Sequence, residues 1–389
     1  MHFRLLGLML CMLFLQYASG QVEDNRVGFL HHIHTQSLGD SLQIQVYLPE
    51  GYQNSEEMYP TLYLLDGQRF FLYGVSLLET YQQYNLTPEF IVVGISTNYP
   101  KRFSYFSNRK NDFLSFIKSE LIPLIASNYR VSDERLLFGW EYGGSMVFHT
   151  LLSDQALFNG YLLASPFPVF NETVQMAQKT FDNKSLYFSV SPDEFSVNHG
   201  VNRLDSILST GNVTGLEWTY LKLSEEVHRS TPYPTLYHGI KQYFEYYPEL
   251  QIDNLDKFLE QGSIEYAIQY NQIRAQAYGY SEELSPWTKF TIIRSAMRAD
   301  EYDNFIHFSE ALKLEEFFPE LSNSRISDLA DYFAKNAGHE EATRLYQFLL
   351  EKYPESVILL TKIGNTMTAA GKEEEAKEYL DRAAKLSEK

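Results

Sequence analysis

Apolar residues alternate with polar ones at Leu42, Ile44, Val46 and Leu48, and the run stops at Pro49-Glu50-Gly51. A period of two lays one face of a strand against a core, and the Pro-Gly cluster ends it in a turn. Two further runs, Tyr59–Leu65 and Glu89–Ser96, are apolar on both faces, as strands buried inside a parallel sheet are. Between Asn111 and Asn128 the pattern changes to helical spacing, with Phe113, Leu114, Phe116, Ile117, Leu121, Ile122, Leu124 and Ile125 mostly on one face. Strand-like segments recur at Arg135–Phe138, Tyr161–Ala164, Leu186–Val190 and Leu216–Leu223, and the first of them leads into a helical stretch rich in Met146, Val147, Phe148, Leu151 and Leu152. Strands alternating with helices predict an α/β doubly wound sheet over residues 21–249.

Past Glu249 the strand signals vanish. Residues 250–322 read as a helical linker region, and residues 323–389 carry an internal period of 34: Ala342, Tyr346 and Leu349 return as Ala376, Leu380 and Ala383. Pro354 closes the first unit, and Gly364 and Gly371 punctuate the second. Small residues at a fixed period, where paired helices must approach closely, resemble the tetratricopeptide repeat. An ordinary pair of helical hairpins is the alternative. Such an array implies a platform for a protein partner.

Composition narrows the function classes. With 44% hydrophobic residues the chain can build a sizeable core. The formal charge of −18 leaves no cationic excess for phosphate, which argues against nucleic acid and anionic lipid as partners. Arg4, the apolar run Leu5–Leu15 and the small residues Ala18-Ser19-Gly20 read as a signal peptide over residues 1–20. The expectation is therefore an exported protein, periplasmic or secreted, with Gln21 as its first mature residue and no membrane span after cleavage. The single cysteine, Cys11, falls inside that leader, so a mature chain would carry no disulfide, no thiol nucleophile and no cysteine metal site. His31, His32 and His34 have the look of a metal clip, but strand alternation would split them, and no metal or cofactor is expected. Asn85, Asn171, Asn183 and Asn212 each begin an Asn-x-Ser/Thr triplet, which matters only in a glycosylating host.

The segment Leu136-Leu137-Phe138-Gly139-Trp140-Glu141-Tyr142-Gly143-Gly144 has the strand, the glycine spacing and the following helix of a nucleophile elbow. Such a turn pushes its central side chain above the sheet, and its glycines avoid clashes. Serine is the usual central residue; here it is Glu141. In the chain order nucleophile, acid, histidine, the strand Leu186–Val190 runs into Ser191-Pro192-Asp193-Glu194, which makes Asp193 the favoured acid and Glu194 the next candidate. The strand Leu216–Leu223 is followed by His228, placed to reach back to the elbow. Gly67 and Gln68, following Asp66 after an early strand, stand where a backbone N–H of an oxyanion hole belongs, and Tyr142 is a candidate pocket wall.

These pieces together resemble a known family. Val46-Tyr47-Leu48-Pro49-Glu50-Gly51-Tyr52, Tyr63-Leu64-Leu65-Asp66-Gly67, Glu120-Leu121-Ile122-Pro123 with Asn128-Tyr129-Arg130, and His228-Arg229-Ser230-Thr231-Pro232-Tyr233-Pro234 are similar to the motifs of the α/β-hydrolases that include the enterochelin (siderophore) esterases and the esterase D relatives. The resemblance runs from about Leu42 to Phe244. It implies carboxylic ester hydrolysis by a Ser–His pair, with a small-molecule ester or related ligand in the cleft. The family elbow reads Gly-His-Ser-x-Gly-Gly, so Trp140 and Glu141 both depart from it, and Arg229 replaces the glycine after the histidine.

Glutamate at the elbow changes the chemistry. With a reference pKa of about 4.3 it carries no proton for a histidine to take at neutral pH. Attack by its carboxylate on an ester would give an anhydride, and its charge would sit beside donors meant for an oxyanion. An ion pair between Glu141 and His228 is the expected role. Three readings stay open: a non-catalytic relative that binds through its cleft, an enzyme in which Glu141 or His228 activates water, and an esterase using another serine, for which Ser145 is nearest.

Overall fold

In the computed structural model, residues 26–177 and 179–388 are described. The leader expected over residues 1–20, with Cys11, lies outside them. The chain divides into two compact units, residues 1–243 and 244–389.

The first unit is built on one eight-stranded sheet: β1 Phe29–Thr35, β2 Asp40–Tyr47, β3 Tyr59–Leu65, β4 Ile91–Ser96, β5 Val131–Trp140, β6 Gly160–Ala164, β7 Thr180–Val190 and β8 Thr214–Lys222. Their spatial order is β1-β2-β4-β3-β5-β6-β7-β8. β1 and β2 pair antiparallel, β2 pairs antiparallel with β4, and the remaining pairs are parallel. The doubly apolar segments fill the centre: every residue of β3, β4 and β6 is buried. β2, paired between β1 and β4, keeps its alternation, with Leu42, Ile44 and Val46 inward. This is the doubly wound α/β sheet expected from the strand pattern, and it fits the α/β-hydrolase fold that the resemblance implies. β1 is an additional edge strand. Within it His31 and His34 are committed separately, to Tyr129 and Ser41.

Helices link the strands: α1 Gly67–Gln83, α2 Lys110–Phe116, α3 Ile122–Asn128, α4 Tyr142–Ser153, α5 Phe195–Thr210 and α6 Pro232–Tyr243. The single helix expected over Asn111–Asn128 is interrupted by a π-helical segment, Ile117–Leu121. Glu120, in that segment, accepts bonds from Thr35 Oγ1 and the backbone amides of Gln36 and Ser37, which ties the segment to the end of β1.

The second unit is all helix: α7 Leu255–Glu260, α8 Ser263–Tyr278, α9 Pro286–Ala299, α10 Tyr302–Ala311, α11 Leu314–Phe317, α12 Asn323–Lys335, α13 His339–Lys352, α14 Val357–Ala369 and α15 Glu373–Ser387. The 34-residue period falls on α13 and α15, where Ala342, Tyr346, Leu349, Ala376 and Ala383 are all buried. Gly364 of α14 allows α15 to approach closely, since a Cβ there would stand 2.6 Å from the Leu380 side chain. Among the described residues no helix is long and apolar enough to cross a membrane.

Candidate functional site

The elbow forms although its serine is absent, because main-chain geometry makes it. β5 ends at Trp140, α4 begins at Tyr142, and Glu141 between them has φ 56° and ψ −116°. That conformation costs a non-glycine residue about 1–3 kcal/mol. It is fixed from all sides: Glu141 N donates to Ala164 O at 3.0 Å, and Glu141 O accepts from the amides of Ser145 and Phe167, both at 3.0 Å. Gly139 is required for the fold-back, since a Cβ on it would lie 2.4 Å from the carbonyl carbon of Gly143.

The Glu141 side chain turns to Arg102, not to His228. Its Oε2 accepts from Arg102 Nη1 at 2.9 Å. Arg102 Nε reaches both oxygens of Asp66, at 2.8 and 2.9 Å, and its Nη2 donates to Trp140 O at 2.9 Å. Thr97 Oγ1 completes the Asp66 shell at 2.7 Å. Asp66 is fully buried and the Arg102 side chain is 9% exposed. Burial works against the Arg102 charge, but the hydrogen bond and charge of Asp66, with those of Glu141, outweigh it and hold the guanidinium above its ordinary pKa. The expected Glu141–His228 ion pair is thus corrected: a guanidinium offers a directed hydrogen bond that a shared imidazole does not.

His228 is held instead by Glu194, with Nδ1 and Oε2 at 2.6 Å. The favoured acid, Asp193, is also corrected. Asp193 is exposed in the turn after β7, whereas Glu194, the residue before α5, is buried. The other oxygen of Glu194 accepts from Ser165 Oγ at 2.8 Å, Ser191 Oγ at 2.5 Å and Ser191 N at 3.0 Å. Burial raises the Glu194 pKa, but the His228 bond and the serine donors prevail and the group lies below its ordinary value. His228 is pushed above the ordinary imidazole value, first by its bond to Glu194 against the effect of burial, and further by the charges of Glu194 and Glu141. Trp140 fixes the backbone beside it, since its indole N–H donates to His228 O at 3.0 Å and the two rings lie 4.9 Å apart. Among the described residues, no protein group hydrogen-bonds His228 Nε2.

The remaining candidates fall into place around this pair. Gly67 brings α1 against β4, where a Cβ would meet Gly94 at 2.6 Å. The Gln68 side chain is taken up by the main chain of Thr97, donating at 2.9 Å and accepting at 3.0 Å. The backbone amides of Gly67, Gln68 and Tyr142 open helices, where N–H groups have no intrahelical acceptor. Tyr142 lines a cleft of about 750 Å³ with Arg69, Phe70, Trp140, Glu141 and Arg229 among its neighbours. Its ring packs edge-on against Phe103. Ser145 is fully buried below the elbow, donating to Pro168 O at 2.6 Å and accepting from Lys110 Nζ at 2.8 Å, so it cannot meet a substrate.

Arg102 is the member of the site that sequence reasoning missed. Its position after the exit of β4, on the strand-end edge where ligands of open α/β sheets bind, is the one signal that could have raised it.

With this geometry in hand, comparison with known proteins is direct. Residues 35–204 match the family described as "Putative esterase". That stretch includes the elbow and Glu194 and stops before His228. Among curated proteins, the Bacillus subtilis (strain 168) protein called Uncharacterized protein YbbA is 30% identical over 129 residues, 29% of this chain; the chain spans about half of that relative, 52% of its length. Among solved structures, an IroE-like serine hydrolase from Shewanella oneidensis aligns with a TM-score of 0.52 at 22% identity, over 74% of this chain and 99% of that one. An uncharacterised protein from Capnocytophaga ochracea aligns with a TM-score of 0.56 at 16% identity, over 82% and 92% respectively. The resemblance to esterases read from the motifs therefore holds, and the α/β-hydrolase fold is shared with both structures.

Proposed function

We propose that the α/β unit is an esterase-derived cleft that binds its ligand without the serine acyl-transfer step of its relatives. The observation that carries this reading is the 2.9 Å bond from Arg102 to Glu141 within a network anchored on buried Asp66. A carboxylate engaged in this way has no proton to give to a base and is held by a cation that lowers its nucleophilicity. The ligand would be a small ester or a related molecule, as the resemblance implies, received between the aromatic and cationic walls of the cleft. We read the chain as exported on its leader sequence alone, and the helical unit as a tetratricopeptide-like platform for a protein partner.

A second reading has one observation in its favour: the His228–Glu194 pair is intact, and among the described residues His228 Nε2 has no protein partner. A base in that position can act on water. One set of assays separates the two. Short acyl esters are tested on the parent, on Glu141→Ser and on His228→Ala. The binding reading expects no turnover by the parent and a gain of at least about 10²-fold in Glu141→Ser, a magnitude typical of a restored nucleophile–base pair. Turnover by the parent that disappears in His228→Ala overturns it in favour of water activation.

A further inference from the structure

The helical unit carries a cleft of its own, and the inference drawn from it deepens the reading of that unit as a platform for a protein partner. The cleft measures about 610 Å³ and lies between α9 and α12. Trp287, Phe290, Arg294 and Arg298 recur at helical spacing along α9, so they project toward one side. Arg325, on α12, closes over the same aromatic floor: its guanidinium carbon is 4.2 Å from the Trp287 ring centroid, and that of Arg294 is 5.2 Å away. Met297 adds apolar surface to the lining.

The charges in this cleft do not balance. Arg294 and Arg298 share one carboxylate, Asp253, each at the long distance of 3.3 Å. Among the described residues Arg325 has no ion-pair partner, and Arg294 Nε is buried without an acceptor. The nearby acids are committed elsewhere: Asp331 to Lys362 at 2.6 Å and to the Tyr346 hydroxyl, and Asp300 to Lys335 at 2.6 Å. Asp328 is the one further carboxylate of the lining. Burial, and then the neighbouring charge of Arg298, depress the Arg294 pKa, with Asp253 opposing and Arg325 adding to the effect. Like charges gathered on an aromatic floor are stabilised by an anion that also covers the ring.

We propose that the cleft between α9 and α12 is a docking site for an acidic peptide segment, whose carboxylates meet Arg294, Arg298 and Arg325 while an adjacent apolar side chain covers Trp287 and Phe290. Charge complementarity and the apolar floor together select this occupant. A small inorganic anion or a polyphosphate chain would leave the floor of Trp287 and Phe290 bare, because neither carries an apolar group.

The test uses the full chain and two peptides, acetyl-Leu-Asp-Glu-Phe-Glu-Asp-amide and its counterpart with Asn and Gln in place of the acids, titrated calorimetrically at low salt. The acidic peptide is expected to bind, and the neutral one to bind at least about tenfold more weakly, as loss of charge-assisted bidentate contacts requires. Arg325→Gln should cost about tenfold or more, as a hot-spot contact does. Arg298→Gln, at an exposed position, should weaken binding in the same direction. Glu141→Ser should bind as the parent does. Equal affinity for both peptides, parent affinity in both arginine variants, or displacement by free phosphate at equimolar concentration would overturn the proposal, the last in favour of a small-anion site.

Discussion

The His228–Glu194 pair and the Glu141–Arg102 network of the α/β unit are built to opposite effect. On one side His228, Glu194, Ser165 and Ser191 form an acid–imidazole pair with a satisfied buried carboxylate, the arrangement that a hydrolytic histidine needs. On the other side the hydroxyl that such a pair would activate is replaced by Glu141, and that glutamate is drawn away from the imidazole by Arg102. The elbow between them keeps its main-chain conformation. The lesson is that the elbow's shape and its nucleophile are separable. Gly139 and three backbone hydrogen bonds dictate the turn, so the central side chain can change while the fold stays as it was.

The comparison breaks first at Arg102. Replacing it with Met leaves the Asp66 and Glu141 carboxylates without their shared cation, one of them fully buried, and is expected to cost about 3–5 kcal/mol, as loss of one member of a buried ion network does. Thermal unfolding measures this, and Asp66→Asn in the same chain should recover part of the loss. A cost below about 1 kcal/mol, the range of a surface pair, would mean that the network does not hold the elbow wall. Next in size is Gly139→Ala. Its Cβ would stand 2.4 Å from Gly143, and forced overpacking of backbone typically costs about 1–3 kcal/mol; unchanged denaturant midpoints would show that the turn can relax.

The opposite wall is sharpened by titration. Because His228 is raised in the fold, its stabilising effect is complete below its ordinary value of 6.5 and fades as pH climbs through the folded value. Because Glu194 is lowered, its effect is present above 4.5 and fades as pH falls through the folded value. The pair therefore contributes most between these two references. Nuclear magnetic resonance of the imidazole should show His228 titrating above 6.5 in the parent and lower in Glu194→Gln; an unmoved titration would dissociate the two groups. Smallest of all, Asp193→Asn should change stability by no more than about 0.5 kcal/mol and leave the His228 titration in place, as expected of an exposed residue outside the pair.

Much of the scaffold could be read before any coordinates. The alternation in Leu42–Leu48 and the apolar run Tyr59–Leu65 became β2 and β3, since the period and two-sided burial of a strand are written in local residue types. The elbow was legible for the same reason, since its signal is glycine spacing between a strand and a helix. The acid was misjudged by one residue: Asp193 and Glu194 are both carboxylates at a strand end, and only the path of the turn decides which of them points inward. The interruption at Ile117–Leu121 was not legible either, because its apolar positions continue the helical pattern on both sides.

The order of amino acids alone determined that this chain folds as an α/β-hydrolase with a helical region after it, and that its elbow carries a carboxylic acid in place of an alcohol. Those properties depend on periodicity and on which residue occupies one position. Only the tertiary structure decided that Arg102 rather than His228 holds Glu141, and that Glu194 rather than Asp193 holds His228. Electrostatic partnership depends on distance and burial across loops far apart in the chain, and neither is encoded in the residues next to each group.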